Sequence, residues 1–163
     1  MPASGYPKVS IVIYCHNDSD GLAALLPSLL SQDYPEEFEI IVVNDGRDYL
    51  TEALVNSHEG EAVRVYHTLT PRDTRNLSRK KLALTLGIKA ASHDAIVHVT
   101  SSTRVVSPHW LRLLAHPLPD RATELHIGYA PVVDATGNPS RPREHDRLLD
   151  RVHYLSSARC GSP

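Results

Sequence analysis

The chain has 163 residues, 41% of them hydrophobic and 22% charged, and a net charge of −2 with its histidines neutral. That is the size and make-up of one ordinary domain with a core of its own, and it excludes a disordered chain. No long basic run occurs, so a nucleic-acid partner is not expected; the densest cationic stretch is a local patch of Arg75, Arg79, Lys80 and Lys81.

Val9 to Tyr14 is a continuous apolar run, the pattern of a strand buried on both faces of a parallel sheet. Asn17 and Asp18 break it. Ser19 or Asp20 is placed to cap a helix on which Leu22, Leu25, Leu26, Leu29 and Leu30 recur at helical spacing, until Asp33, Tyr34 and Pro35 stop it. Glu39 to Val43 predicts a second buried strand, closed by the turn Asn44-Asp45-Gly46. A short helix from about Tyr49 to Asn56 and a third strand from Ala62 to His67 follow. Beyond Pro71, Ser78 to Ala91 predicts a helix with Leu82, Leu86 and Ala90 on its inner face. Ala95 to Val99 is the fourth strand, and Ser107-Pro108 opens a short helix carrying Trp110, Leu113 and Leu114. Past Pro117 the pattern weakens: Glu124 to Val133 reads as a strand pair or an extended edge, Asp134 to Pro142 as a polar loop, and Pro142 to Arg159 as a helix.

Strands alternating with helices predict an α/β fold with a mostly parallel sheet flanked by helices. Cys15 and Cys160 form neither a metal-ligand spacing nor a disulfide framework, and Cys15 reads as a reduced, half-buried thiol. Met1 to Lys8 is not a signal peptide, and no apolar run approaches the ~20 residues of a membrane span, so a cytoplasmic setting is expected.

In open α/β sheets, ligands bind beyond the carboxyl ends of the strands, where the strand order switches. Those ends are Tyr14 to Asp18, Asn44 to Gly46, His67 to Thr70 and Thr100 to Arg104. Neither G-x-G-x-x-G nor a Walker loop occurs, which argues against a dinucleotide or P-loop enzyme. Ten histidines show no H-x-x-x-H or H-E-x-x-H spacing, so no metal site is assigned to them.

Five segments in order carry a family resemblance. "VSIVIYCHND", then "LLSQDYP", "EIIVVNDG" and "RKKLALTLGIKAA", followed by "VTSSTRVVSPHWL", resemble the opening of family 2 glycosyltransferases of the GT-A fold, over about residues 8 to 114. The later "ELHIGYAPV" and "HYLSSARCGSP" are similar to a bacterial branch of that family. The resemblance implies one domain over 1–163: a nucleotide-binding core at 8–114, and at 115–163 the start of the acceptor-side portion, truncated at the C-terminus. It implies a UDP- or GDP-type sugar donor and a glycan or lipid-linked acceptor. Peripheral membrane association and a homodimer are compatible with it.

By the same resemblance, Tyr14, Cys15 and Asn17 supply backbone and small polar contacts to the nucleoside. His16 takes an aromatic position that could stack on the base. Asp18 stands where the family has a nucleoside-binding Glu, and Asp45 at the second of two acids that contact base or ribose; Asn44 replaces the first. Lys80 takes the place of a family lysine suited to a pyrophosphate, with Arg79 replacing the glycine before it. The bland readings remain open beside these: helix capping and turn chemistry for Asp18 and Asp45, a solvated helix face for Lys80.

The family's Mn or Mg ion is held by an Asp-x-Asp that here reads Thr100, Ser101 and Ser102, with Arg104 the next cation. Both carboxylates are gone, and no metal ligand is assigned. Either metal binding and catalysis are impaired, which the residues favour, or Arg104, Arg79, Lys80 and Lys81 take over the ion's charge. The family's catalytic base is expected beyond the chain end; Glu144, Asp146 and Asp150 read as a solvated helix face. The competing functions are a transferase, a non-catalytic nucleotide-binding module, and an interaction domain without a ligand.

Overall fold

The computed structural model describes residues 5–58, 60, 62–71, 78–116, 118, 126 and 128. The chain divides into two compact units, Met1–Leu113 and Leu114–Pro163. The sequence readings for residues 129–163, including the helix from Pro142, the polar loop and its acids, lie outside the described residues, as does most of the strand pair read from Glu124.

In the first unit, the two most apolar runs become the central strands, covered on both faces. β1 (Val9–Cys15) and β2 (Phe38–Asn44) are buried almost throughout. β3 (Arg64–Leu69) and β4 (Ala95–Thr100) flank them, giving the order β3-β2-β1-β4 with every pair parallel. The chain steps outward from β1 to β3 and then returns to place β4 on the other side of β1. The order therefore reverses at the β1–β4 seam.

α1 (Ser19–Leu30) buries Leu22, Leu25, Leu26 and Leu29, as its spacing predicts. Its cap is Asp18 rather than Ser19 or Asp20: the Asp18 carboxylate accepts the Gly21 N–H at 3.1 Å. Gln32 then ties the end of α1 to the 107–111 segment. Its amide donates to the carbonyls of Ser28 and Ser107, and accepts the Leu111 N–H, all at 2.9 Å.

Several boundaries differ from the sequence reading. β3 begins two residues later than Ala62, because it pairs with β2 from Glu39↔Arg64 to Asn44↔Leu69 and its limits follow that register. The helix α4 (Trp110–Ala115) opens after Ser107-Pro108, since the Ser107 hydroxyl accepts the His109 N–H and the Pro108 carbonyl accepts the Asp33 N–H. α2 (Tyr49–Asn56) lies where expected and is capped by Asp48.

α3 (Arg79–Ala90) departs most. Its fully buried residues are Ala83 and Gly87, while Leu82 and Leu86 are half-buried. The helix lies so close to the sheet that a Cβ at position 87 would overlap Cγ1 of Val12 and come within 3.1 Å of Cγ2 of Val43. The closest contact is made by small residues, Ala83 and Gly87, with Leu84 and Ala90 packed beside them against the core.

At the amino end of the sheet Glu39 is 3% exposed. It accepts from the Ser10 hydroxyl at 2.7 Å, the Ser92 N–H at 2.6 Å and the Ser92 hydroxyl at 3.1 Å, with Arg64 at 3.5 Å. Burial alone would raise its pKa, but these hydrogen bonds outweigh it and hold the carboxyl below its usual range.

Candidate functional site

At the opposite end, the loops after β1, β2, β3 and β4 converge. The loop after β2 is fixed by Asn44, whose amide donates to the Asp48 carbonyl at 2.9 Å and accepts the Asp48 N–H at 3.0 Å. This clasp is what Asn44 does where the family pattern has an acid. It leaves Asp45 pointing back across the strand ends.

Asp45 is the centre of the arrangement. Tyr14 donates to it at 2.8 Å and Thr70 at 2.7 Å. Arg79 Nε lies 3.2 and 3.1 Å from its two oxygens, and Arg79 Nη2 reaches Oδ1 at 3.0 Å and the Asp45 carbonyl at 2.9 Å. His16 Nδ1 stands 3.3 Å away, so His16 approaches the acid with its edge. The Asp45 side chain is 1% exposed, while that of Arg79 is 48% exposed. Burial by itself pushes the Asp45 pKa up. The hydrogen bonds from Arg79, Thr70 and Tyr14, with the guanidinium charge, reverse that and hold it at about 2. Tyr14 is pushed up to about 12 by burial and by the acid it serves, so it stays a donor.

Beside this pair lies a cavity of about 330 Å³ lined by Asp45, Gly46, Arg47, Thr70, Pro71 and Arg79. Two left-handed residues shape its approach, Asn17 at φ 47° and Arg47 at φ 51°. A Cβ at Gly46 would overlap the Asn17 side-chain amide, so a larger residue there requires that amide to move. Thus Asn17 and Asp45, picked out separately in the sequence, belong to one pair of touching loops.

The remaining candidates take other places. Cys15 is fully buried, with Sγ 3.6 Å from the Thr51 hydroxyl and the Asp18 carbonyl. Asp18 caps α1 and also accepts the Ser101 hydroxyl at 2.6 Å, tying the loop after β1 to the loop after β4. Thr100 Oγ1 lies 3.0 Å from Ser102 Oγ and 3.4 Å from Thr103 Oγ1. Arg104 is exposed and donates to the Thr103 carbonyl at 3.2 Å. Lys80 reaches over Tyr14, with Nζ 5.8 Å from the ring centroid. Thr70, Arg47 and the engagement of Arg79 with Asp45 were not singled out in the sequence. Their only signal there was position at a strand end or in the cationic patch.

A parallel sheet with a polar, cation-lined cleft at its carboxyl end is where open α/β proteins take their ligands. Residues 10–157 match the family model described as glycosyl transferase family 2, and the chain belongs to that family. An N-acetylglucosaminyltransferase of Mesorhizobium japonicum is 30% identical over 160 residues, which is 95% of this chain and 35% of the relative. The chain spans about a third of the length of the N-acetylglucosaminyltransferases it matches. Among solved structures, S. aureus TarS 1-349 in complex with UDP-GlcNAc is similar at a TM-score of 0.53 and 23% identity, over 64% of this chain and 29% of that one. The mannosyltransferase PcManGT from Pyrobaculum calidifontis, in complex with GDP-Man and Mn2+, reaches 0.56 at 19% identity, over 73% and 33%. The fold is accordingly that of the GT-A glycosyltransferases.

Proposed function

We propose that this chain forms the donor-binding part of a glycosyltransferase, taking a UDP- or GDP-linked sugar at the carboxyl end of the sheet. Residues 8–114 carry the nucleotide core and residues 115–163 begin the acceptor side, where a glycan or lipid-linked acceptor is met. The relatives' activity and the neighbours' UDP-GlcNAc and GDP-Man complexes support a nucleotide sugar, with N-acetylglucosamine the first sugar to try. Among the described residues no helix is long and apolar enough to cross a membrane. A cytoplasmic donor pool and peripheral contact with a membrane fit this reading.

The observation that carries it is the Asp45–Arg79 pair beside the 330 Å³ cavity. Uracil and guanine both present a ring N–H next to a carbonyl oxygen; a carboxylate accepts the first and a guanidinium donates to the second. Asp45 is covered, so the base exchanges with Arg79. The ring N–H takes a place on the carboxylate, and the guanidinium N–H that leaves it turns to the base carbonyl. Cytosine has a bare ring nitrogen at that edge and cannot make the exchange.

A second reading, nucleotide binding without transfer, is supported by the resemblance that sets Thr100, Ser101 and Ser102 against the family's acids. Thermal shift separates the cases. UDP-N-acetylglucosamine or GDP-mannose should stabilise the protein, by about 2.7 kcal/mol at a hundred times Kd, and CDP far less. Stabilisation with no release of sugar from the donor selects the second reading. No shift with any uridine or guanosine nucleotide overturns both.

A further inference from the structure

The ion that the family relies on does not fit the residues after β4. Mg²⁺ and Mn²⁺ take hard oxygen ligands, as a rule one or two carboxylates besides the phosphates. Here the loop offers hydroxyls, and they are engaged with one another, Thr100 with Ser102 and with Thr103. The carboxylate that meets this loop is Asp18. One of its oxygens accepts the Gly21 N–H that caps α1, and the other accepts the Ser101 hydroxyl. A metal on Asp18 would have to displace the link that joins the two loops.

A cation is already in place. Tyr14 is in register with Thr100 on the adjoining strand, and its carbonyl accepts the Ser101 N–H at 3.0 Å. Over the ring of that same Tyr14 sits the Lys80 ammonium. Its charge also reaches His98, two residues before Thr100, where burial first and Lys80 after it lower the imidazole pKa. Among the described residues, the other cations of the cleft are committed or turned away. Arg79 is held by Asp45, Arg47 donates to the Thr70 carbonyl at 3.4 Å, and Arg104 bonds the carbonyl of its neighbour Thr103. Lys81 lies one position along α3, about 100° around the helix from Lys80.

We propose that the diphosphate of the bound nucleotide is held here without a divalent ion, by the Lys80 ammonium together with the hydroxyls of Thr100 and Ser102. The inference rests on the nucleotide-binding reading and deepens it. A phosphate oxygen accepts a charge-assisted hydrogen bond from Lys80, and hydroxyl protons can turn outward from their mutual contacts to donate to a second oxygen. Lys80 is exposed on the first turn of α3, so replacing it leaves the core intact.

Calorimetric titration of the purified chain with uridine and with UDP, each in EDTA and in MnCl2, tests this. UDP should bind more tightly than uridine, with affinities in EDTA and Mn²⁺ within about twofold of each other. Lys80→Met should weaken UDP about tenfold or more, the loss expected for one hydrogen bond to a charged group. It should leave uridine affinity unchanged, and Lys80→Arg should restore most of the loss. Thr100→Asp combined with Ser102→Asp should make UDP binding dependent on Mn²⁺. UDP binding that needs Mn²⁺ in the natural sequence, or that ignores Lys80→Met, overturns the inference while uridine binding stands. If uridine and UDP fail to bind, guanosine and GDP are titrated in the same way, and failure of all four overturns the nucleotide reading and this inference with it.

Discussion

Asp45 carries its charge in an almost dry place, and Arg79 is the reason it can. One guanidinium donates through two nitrogens to both carboxylate oxygens and to the backbone carbonyl of the same residue. A lysine at position 79 would bring the same charge without the planar fork. Arg79→Lys is therefore expected to lower the melting temperature and to move the Asp45 pKa up from about 2, since burial then meets less opposition. The NMR titration of the Asp45 carboxyl carbon reads this directly. A value that stays at about 2 in the variant would assign the effect to Tyr14 and Thr70 instead. If nucleotide binding exchanges a base N–H for an Arg79 donor, the same variant should also lose affinity for uridine.

At the scale of elements, Gly87 shows how helix α3 is fitted to the sheet. Alanine is the better helix former by about 1 kcal/mol. Yet its Cβ would overlap a methyl of Val12, a β-branched residue fixed in the central strand β1 and unable to swing aside. Overpacking of that kind costs typically 1–3 kcal/mol. Gly87→Ala should accordingly be destabilising by about 1 kcal/mol net, and combining it with Val12→Ala should show coupling of the two changes in urea unfolding. A stabilised single variant would mean that α3 can lift off the sheet at little cost. The same contact explains what could be read from the sequence here. β1, β2 and α1 were legible because their apolar runs and leucine spacing state the burial outright. The inner face of α3 was not, because close approach selects Ala83 and Gly87, and a search for large apolar residues passes over them. β3 slipped by two residues because its limits are set by pairing with β2 rather than by its own composition.

In the whole molecule, the same logic separates the legible part of the site from the rest. Strand ends, Asp45 and Lys80 could be named from position and resemblance. Arg79 with Asp45 and Ser101 with Asp18 could not, since they join residues 34 and 83 positions apart and leave no periodic mark. Those long-range bonds also place a buried carboxylate at each end of β2, Glu39 among serines and Asp45 under Arg79. Both have pKa values below their ordinary ones, 4.5 for Glu39 and 3.8 for Asp45, the latter reaching about 2. A depressed folded-state pKa contributes stability that is complete above the unfolded value and is lost as pH falls through the folded one. Stability should therefore ease below neutral pH as His98, whose imidazole pKa burial lowers, takes up its proton more readily in the unfolded chain, then fall further between about 4.5 and 2 as the sheet is loosened from both ends, with Asp45 alone contributing on the order of 2 kcal/mol. Chemical denaturation at a series of pH values measures this. Glu39→Gln with Asp45→Asn should be less stable at pH 7 and show a flatter acid limb. An unchanged limb in that double variant would place the acid-sensitive groups outside β2 and its flanks.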